Sequence, residues 1–318
     1  MVNILYIIIA LFFLTKNIHA AVSAEADSLL PSADSLLTSA DTLQFQIPAL
    51  VSDSSAEPGQ LSWHTMFSNI PHDYNSFFKK STALKNLPVI AGFALATATL
   101  MLVDEPIWNS VHSYYKESQA FNLFTRYSVN LGDGRYHFLL AGVFAVYGFS
   151  AMDSRAITTA SNIVEGLLSS GIMVQVIKRI TGRESPAAAT KAAGEWRLFP
   201  DPGKYHRNQP RYYAFPSGHV TTAMTTVTIL ANNYPEVKWI KPIGYSLIGC
   251  LGAGLMGKGM HWLSDFPLAL ALGYTFGNII APEKSGKAGR GIMAYKEHIS
   301  VIPIIDKSSF AMALIYKL

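Results

Sequence analysis

Cysteine is almost missing from this chain: Cys250 is the only one in 318 residues, which excludes an intrachain disulfide and any cysteine-built metal site. It lies in an apolar stretch and reads as a small buried hydrophobe. Charge is scarce as well. Only 14% of residues are Asp, Glu, Lys or Arg, against 50% apolar ones, a composition that leans toward a membrane protein. The net charge of +4 argues against a nucleic-acid surface. Much of the basic pattern is gathered between Lys178 and Arg211, which fits an anion held at one place.

Basic residues are sparse at the start of the chain, Lys16 being the only Lys or Arg in residues 1–60. Residues 1–20 hold an apolar core from Ile4 to Leu14 followed by Ala20 and Ala21, which resembles a secretory signal peptide, although nothing basic precedes the core. Residues 21–60 are acidic, rich in Ser, Ala and Leu, with a loose SADSLL repeat; they are expected to be a mostly disordered spacer. Trp63 to Lys80 mixes aromatic and polar residues, as an amphipathic helix on the main body or on a membrane surface does.

Apolar runs of full membrane length are also in short supply. Six segments, Leu87–Val103, Phe138–Met152, Ile157–Ile177, Val220–Ala231, Ile240–Met256 and Phe266–Ala281, straddle the ~20 residues a bilayer span needs. The third carries Asn162 and Glu165 and the fourth is rich in threonine, as in the helices of a tight bundle rather than in lipid-facing spans. Residues 61–285 are therefore expected to form one all-α domain, an antiparallel bundle of about six core helices. In the tail, residues 286–318, "HISVIPIID" and "FAMALIYKL" flank Lys307, Ser308 and Ser309 and predict a short β-hairpin.

Three places could carry chemistry. In "PSGH", Pro216 and Ser217 suit the start of a helix and capping alone explains them, but it does not explain His219. A helix N-terminus presents free N–H groups, so Ser217, the Gly218 amide and a nearby imidazole could converge on an anion such as phosphate. In "KRITGRESP", Lys178 and Arg183 bring positive charge to a glycine-containing bend. In "GKGMHWLSDFPLAL", His261 and Asp265 lie four apart and are expected to share a helical face, the carboxylate orienting the imidazole. The end of the third helix, the start of the fourth and the junction of the fifth and sixth all fall on one face of an antiparallel bundle.

With these motifs, about Leu87 to Ala281 resembles the type 2 phosphatidic acid phosphatase (PAP2) superfamily, whose signature is Lys-x6-Arg-Pro, then Pro-Ser-Gly-His, then Ser-Arg-x5-His-x3-Asp. The resemblance implies that His261 is the nucleophile, Asp265 its orienter and His219 the acid for the leaving oxygen, with Lys178, Ser217 and Gly218 holding the phosphate oxygens. It implies no metal and no cofactor. Two family arginines are replaced, by Ser185 and Leu255. Arg183 and Lys258 stand close enough in sequence to relocate the phosphate clamp, and Arg197, Arg207 and Arg211 are further candidates. The loop from Ala187 to Phe215, dense in aromatics and bases, could form a lid.

The expected activity is hydrolysis of phosphate monoesters or pyrophosphates of a lipid, in or on a cell-envelope membrane, with the site facing the periplasm; a soluble periplasmic body is the alternative. Two other functions fit the same resemblance. One is a non-catalytic descendant that binds phosphorylated lipid or serves as a scaffold, and the other is a vanadium haloperoxidase.

Overall fold

The computed structural model describes residues 65–282 and the backbone of residues 299–306 and 309–316. The expected leader and spacer lie outside the described residues. After a helical turn at Thr65–Ser68 come α1 (Ile70–Thr82), α2 (Leu87–Met101), α3 (Asp104–Glu117), α4 (Gln119–Ser128), α5 (Gly134–Ala151) and α6 (Ser154–Thr181). These are followed by short α7 (Pro202–Arg207), then α8 (Gly218–Asn233), α9 (Ile240–Gly257) and α10 (Phe266–Ile280). The domain is an all-α bundle. In the tail the backbone of β1 (Ile299–Asp306) pairs antiparallel with β2 (Ser309–Tyr316), Asp306 standing opposite Ser309.

The helix α6 is the spine. Asp153 caps it by accepting from the amides of Arg155 and Ala156, and Gly182, in the left-handed region at φ 52°, ends it. Twenty-eight residues at ~1.5 Å each make a rod of about 42 Å, longer than the apolar run alone implied because capping adds a turn at each end. One side packs through Ala156, Ala160, Ile163 and Leu167 against Phe144 of α5 and Ile229 of α8. The other half-turns meet α8 through small polar groups, with Thr225 donating to Ser170.

The close seam between α8 and α10 explains why PSGH and the His261 loop end up together. A Cβ on Gly273 would stand 2.6 Å from the Thr221 carbonyl oxygen, and one on Gly277 would stand 2.6 Å from the Thr228 Cβ. Only glycine lets the two backbones approach this far. The starts of α8 and α10 are thereby drawn to one end of the bundle, where the Ser217 amide donates to the Asp265 carbonyl at 3.2 Å.

Besides the short α7, two helices, α3 and α4, have no counterpart among the expected apolar segments. Their residues alternate polar and aromatic side chains without a long apolar run, yet they pack on α9, where Gly254 admits Ser128 and the His112 ring donates to the Gly257 carbonyl at 2.9 Å. They also bring Asp104 into the domain, where it is 1% exposed.

Candidate active site

Ser217 is the N-cap of α8, its hydroxyl accepting from the Val220 amide at 3.4 Å. This leaves the amides of Gly218 and His219 at an open helix end. Lys178, in the last turn of α6, is buried beside that end: its Nζ would lie 4.0 Å from a Cβ on Gly218. The amine donates to the Tyr213 carbonyl at 2.5 Å and sits 5.0 Å over the Tyr213 ring.

His261 is fully buried. Its Nδ1 lies 2.7 Å from the Ala214 carbonyl oxygen, and since a carbonyl can only accept, the proton is on Nδ1 and Nε2 keeps its lone pair. Nε2 is buried and has no hydrogen-bond partner. The ring centroids of His219 and His261 are 6.3 Å apart. Burial lowers the pKa of both imidazoles, that of His219 to about 4, with the charges of His261 and Lys178 adding to the effect; for His261 the Asp265 carboxylate opposes it.

Four expectations need correcting. First, His261 and Asp265 do not share a helical face. His261 lies in an irregular segment, Leu263–Asp265 is a single 3-10 turn, and α10 begins only at Phe266. Second, Asp265 is not alone on the imidazole: the Ala214 carbonyl stands nearer to Nδ1. Asp265 Oδ2 stands 3.5 Å from Nδ1 and takes its shorter hydrogen bond, 2.7 Å, from the Trp262 amide. Third, Arg183 is not placed as a free clamp. Its Nη1 donates to Asp265 and Ser264 at 2.5 and 2.7 Å, and its Nη2 to Asp104 and Ala193 at 2.7 and 2.8 Å. Fourth, Lys258 caps the end of α9, and no contact among the described residues ties it to either histidine.

The positions of the missing arginines have been built into the scaffold. Leu255 is 0% exposed in the cluster with Val129, Val220 and Leu251, and the Ser185 amide donates to the Pro210 carbonyl. Arg197 pairs with Glu184 at 2.7 Å and with Glu195. These three bind the 184–197 loop to itself, and the Thr190 amide adds a bond to Glu184 at 2.8 Å.

Sequence reasoning missed the groups behind the histidines. The Ala214 carbonyl leaves no trace in residue types. Gly132, before α5, lies so close that a Cβ there would stand 2.6 Å from the His219 Cβ and 2.7 Å from its carbonyl oxygen. Next to it Asp133 caps α5 and grips Arg135, with a shortest contact of 2.6 Å.

A comparison with family models matches residues 159–283 to the PAP2 superfamily, the stretch that carries Lys178, PSGH and His261 through Asp265. The match covers less than half of the chain, so the likeness to the PAP2 superfamily is a likeness of this segment. Among solved structures, the chain is similar to the first transmembrane PAP2-type phosphatidylglycerolphosphate phosphatase, from Bacillus subtilis, at 15% identity and TM-score 0.44, over 62% of this chain and 94% of that one. It is also similar to LpxE from Aquifex aeolicus, at 17% identity and TM-score 0.42, over 56% and 94% respectively. No curated protein matches the sequence. The PAP2 segment begins inside α6, so Gly132, Asp133 and Asp104 all reach the site from helices outside it.

Proposed function

We propose that this protein is a PAP2-type phosphatase that hydrolyses a phosphate monoester or pyrophosphate of a lipid through a phosphohistidine on His261. The observation that carries the reading is His261 itself. Its Nδ1–H is held by Ala214, its Nε2 lone pair is buried without a partner, and a second imidazole and an ammonium group stand around it. A buried acceptor without a donor is destabilising unless something meets it, and an electrophilic phosphorus is such a group.

In the first step Nε2 attacks phosphorus, the bond to the leaving oxygen breaks, and His219 supplies the proton to that oxygen. Water then attacks the phosphohistidine, giving its proton to His219; the P–N bond breaks and inorganic phosphate leaves. Lys178, the Ser217 hydroxyl and the Gly218 amide hold the equatorial oxygens, as charge stabilisation of phosphoryl transfer requires. The pKa of His219, about 4 without ligand, rises when a phosphate anion sits beside it, so substrate binding itself loads the acid.

A lipid substrate is supported by the apolar outer surface of the bundle. Leu87, Val89, Ile90 and Leu95 of α2, Trp239 just before α9, and Ile243 and Leu247 of α9 are turned outward. The segments Leu84–Met101 and Ser154–Thr181 are long and apolar enough to cross a membrane. Such a surface suits acyl chains better than water and supports a place in or on a membrane.

A second reading, a phosphate-lipid binder without turnover, is favoured by one observation: both Nη atoms of Arg183 are engaged by carboxylates. Phosphate release from p-nitrophenyl phosphate and from a panel of phosphorylated lipids separates the two. Release by the wild type and none by His261→Ala supports the enzyme. Binding of phosphorylated lipid with no release by the wild type supports the binder.

A further inference from the structure

Behind His261 lies a buried ion cluster that the proposed phosphoryl chemistry does not use. Arg183, Asp104 and Asp265 are each 0% exposed at the side chain. One guanidinium stands between two carboxylates, at 2.7 Å from Asp104 and 2.5 Å from Asp265. Ser264 closes the ring, its hydroxyl donating to Asp104 at 2.5 Å and its amide at 2.9 Å. Buried charge of this density is destabilising unless each member is paired, and here the count leaves one negative charge over. The backbone of Arg183 reaches the same histidine by another route. Its carbonyl accepts from the Ala214 amide at 3.0 Å, and the Ala214 carbonyl accepts from His261 Nδ1 at 2.7 Å.

We propose that Asp104, on α3 and outside the PAP2 segment, is a positioning residue for His261: it draws off half of the Arg183 charge, so that Asp265 keeps negative charge for the imidazole. Asp265 Oδ2 lies 3.5 Å from Nδ1. Without Asp104, Arg183 would neutralise Asp265 alone, and the positive charge that the ring acquires when Nε2 is protonated or phosphorylated would lose its counter-charge. The other groups around His261 are Lys178 from α6, His219 from α8 and Tyr213 from the loop before PSGH. Burial and Lys178 both oppose the imidazolium, and the charge left on Asp265 is what counters them.

The inference rests on the proposed role of His261, but its test does not need turnover. The ring titration of His261 is followed by NMR of histidine-labelled, detergent-solubilised protein, with the resonance assigned by its loss in His261→Gln. Asp104→Asn is expected to lower the His261 pKa by about one unit, and Arg183→Gln to raise it by a similar amount. Ser264→Ala, which breaks hydrogen bonds but moves no charge, is expected to leave it in place. Opposite displacements in the two charge variants support the proposal, and either variant alone decides if the other does not fold. An unmoved pKa in a folded charge variant, or a displacement in Ser264→Ala, overturns it. If the wild type releases no phosphate from any ester, the phosphatase reading fails, while the charge variants still either move the His261 titration or leave it where it was.

Discussion

Replacing Lys178 by methionine isolates the effect of one fixed positive charge at the mouth of α8. The methionine keeps an unbranched aliphatic side chain at this buried position and loses the ammonium. Nζ lies 4.0 Å from where a Cβ on Gly218 would stand, near enough to act on an anion held at that helix end. Two unit charges at ~4 Å interact by about 4 kcal/mol at an effective dielectric near 20. Only the part that grows toward the transition state changes kcat, and loss of one such donor costs about 3 kcal/mol, or on the order of a hundredfold. The Tyr213 carbonyl, left without its donor, costs a further ~1–3 kcal/mol of stability. The assay is phosphate release by the solubilised variant, with thermal melting beside it. The expected result is a folded protein with a kcat about a hundredfold lower. A folded Lys178→Met protein within about threefold of wild type would refute the placing of this amine on the phosphate.

Gly132→Ala forces a Cβ to within 2.6 Å of the His219 Cβ and 2.7 Å of its carbonyl oxygen. The first turn of α8 must shift, and kcat is expected to fall at least tenfold, for a stability loss of about 1–3 kcal/mol; unchanged kinetics would show that the helix start yields freely. Acid destabilisation follows from the buried imidazoles. His219 titrates near 6.5 in the unfolded chain and at about 4 in the folded one, so between those values the unfolded chain binds the extra proton. Stability from this group is complete above pH 6.5 and is lost as pH falls toward 4. Melting temperature measured over this window is expected to fall less in His219→Gln than in wild type, and equal slopes would contradict the linkage. Leu255→Arg restores a family arginine in sequence but puts an unpaired charge among Val129, Val220 and Leu251. Loss of folded protein is expected, and a folded, faster enzyme would show that this core opens onto the site.

The bundle was legible because its helices announce themselves: α2, α5, α6, α9 and α10 each contain one of the long apolar runs, and the threonine-rich α8 follows PSGH. Spacing and helix parity also pointed to a common locus for Lys178, Gly218, His219 and His261, and the structure brings them together. What stayed hidden has physical reasons. The helices α3 and α4 lack an apolar run because they pack through glycine contacts and isolated hydrogen bonds. The i, i+4 spacing of His261 and Asp265 read as a helix, whereas the Trp262 amide turns back onto Asp265 and closes a 3-10 turn. Arg183 read as a clamp because charge near a motif is ambiguous. Its partners Asp104 and Asp265 are 79 and 82 residues away in sequence, and only the fold brings them to one guanidinium. The nearest hydrogen-bond partner of His261 is a backbone carbonyl, which no residue type encodes.

The central claim, that the unpartnered Nε2 of His261 takes the phosphoryl group, is tested most directly by trapping. Solubilised protein is mixed with phosphorus-labelled substrate, quenched rapidly in base, where phosphohistidine survives, and digested to locate the label. The label is predicted on the peptide containing His261, lost on brief acid treatment, and absent from His261→Ala. Steady phosphate release with no label on that peptide, or a label that persists in His261→Ala, would contradict it.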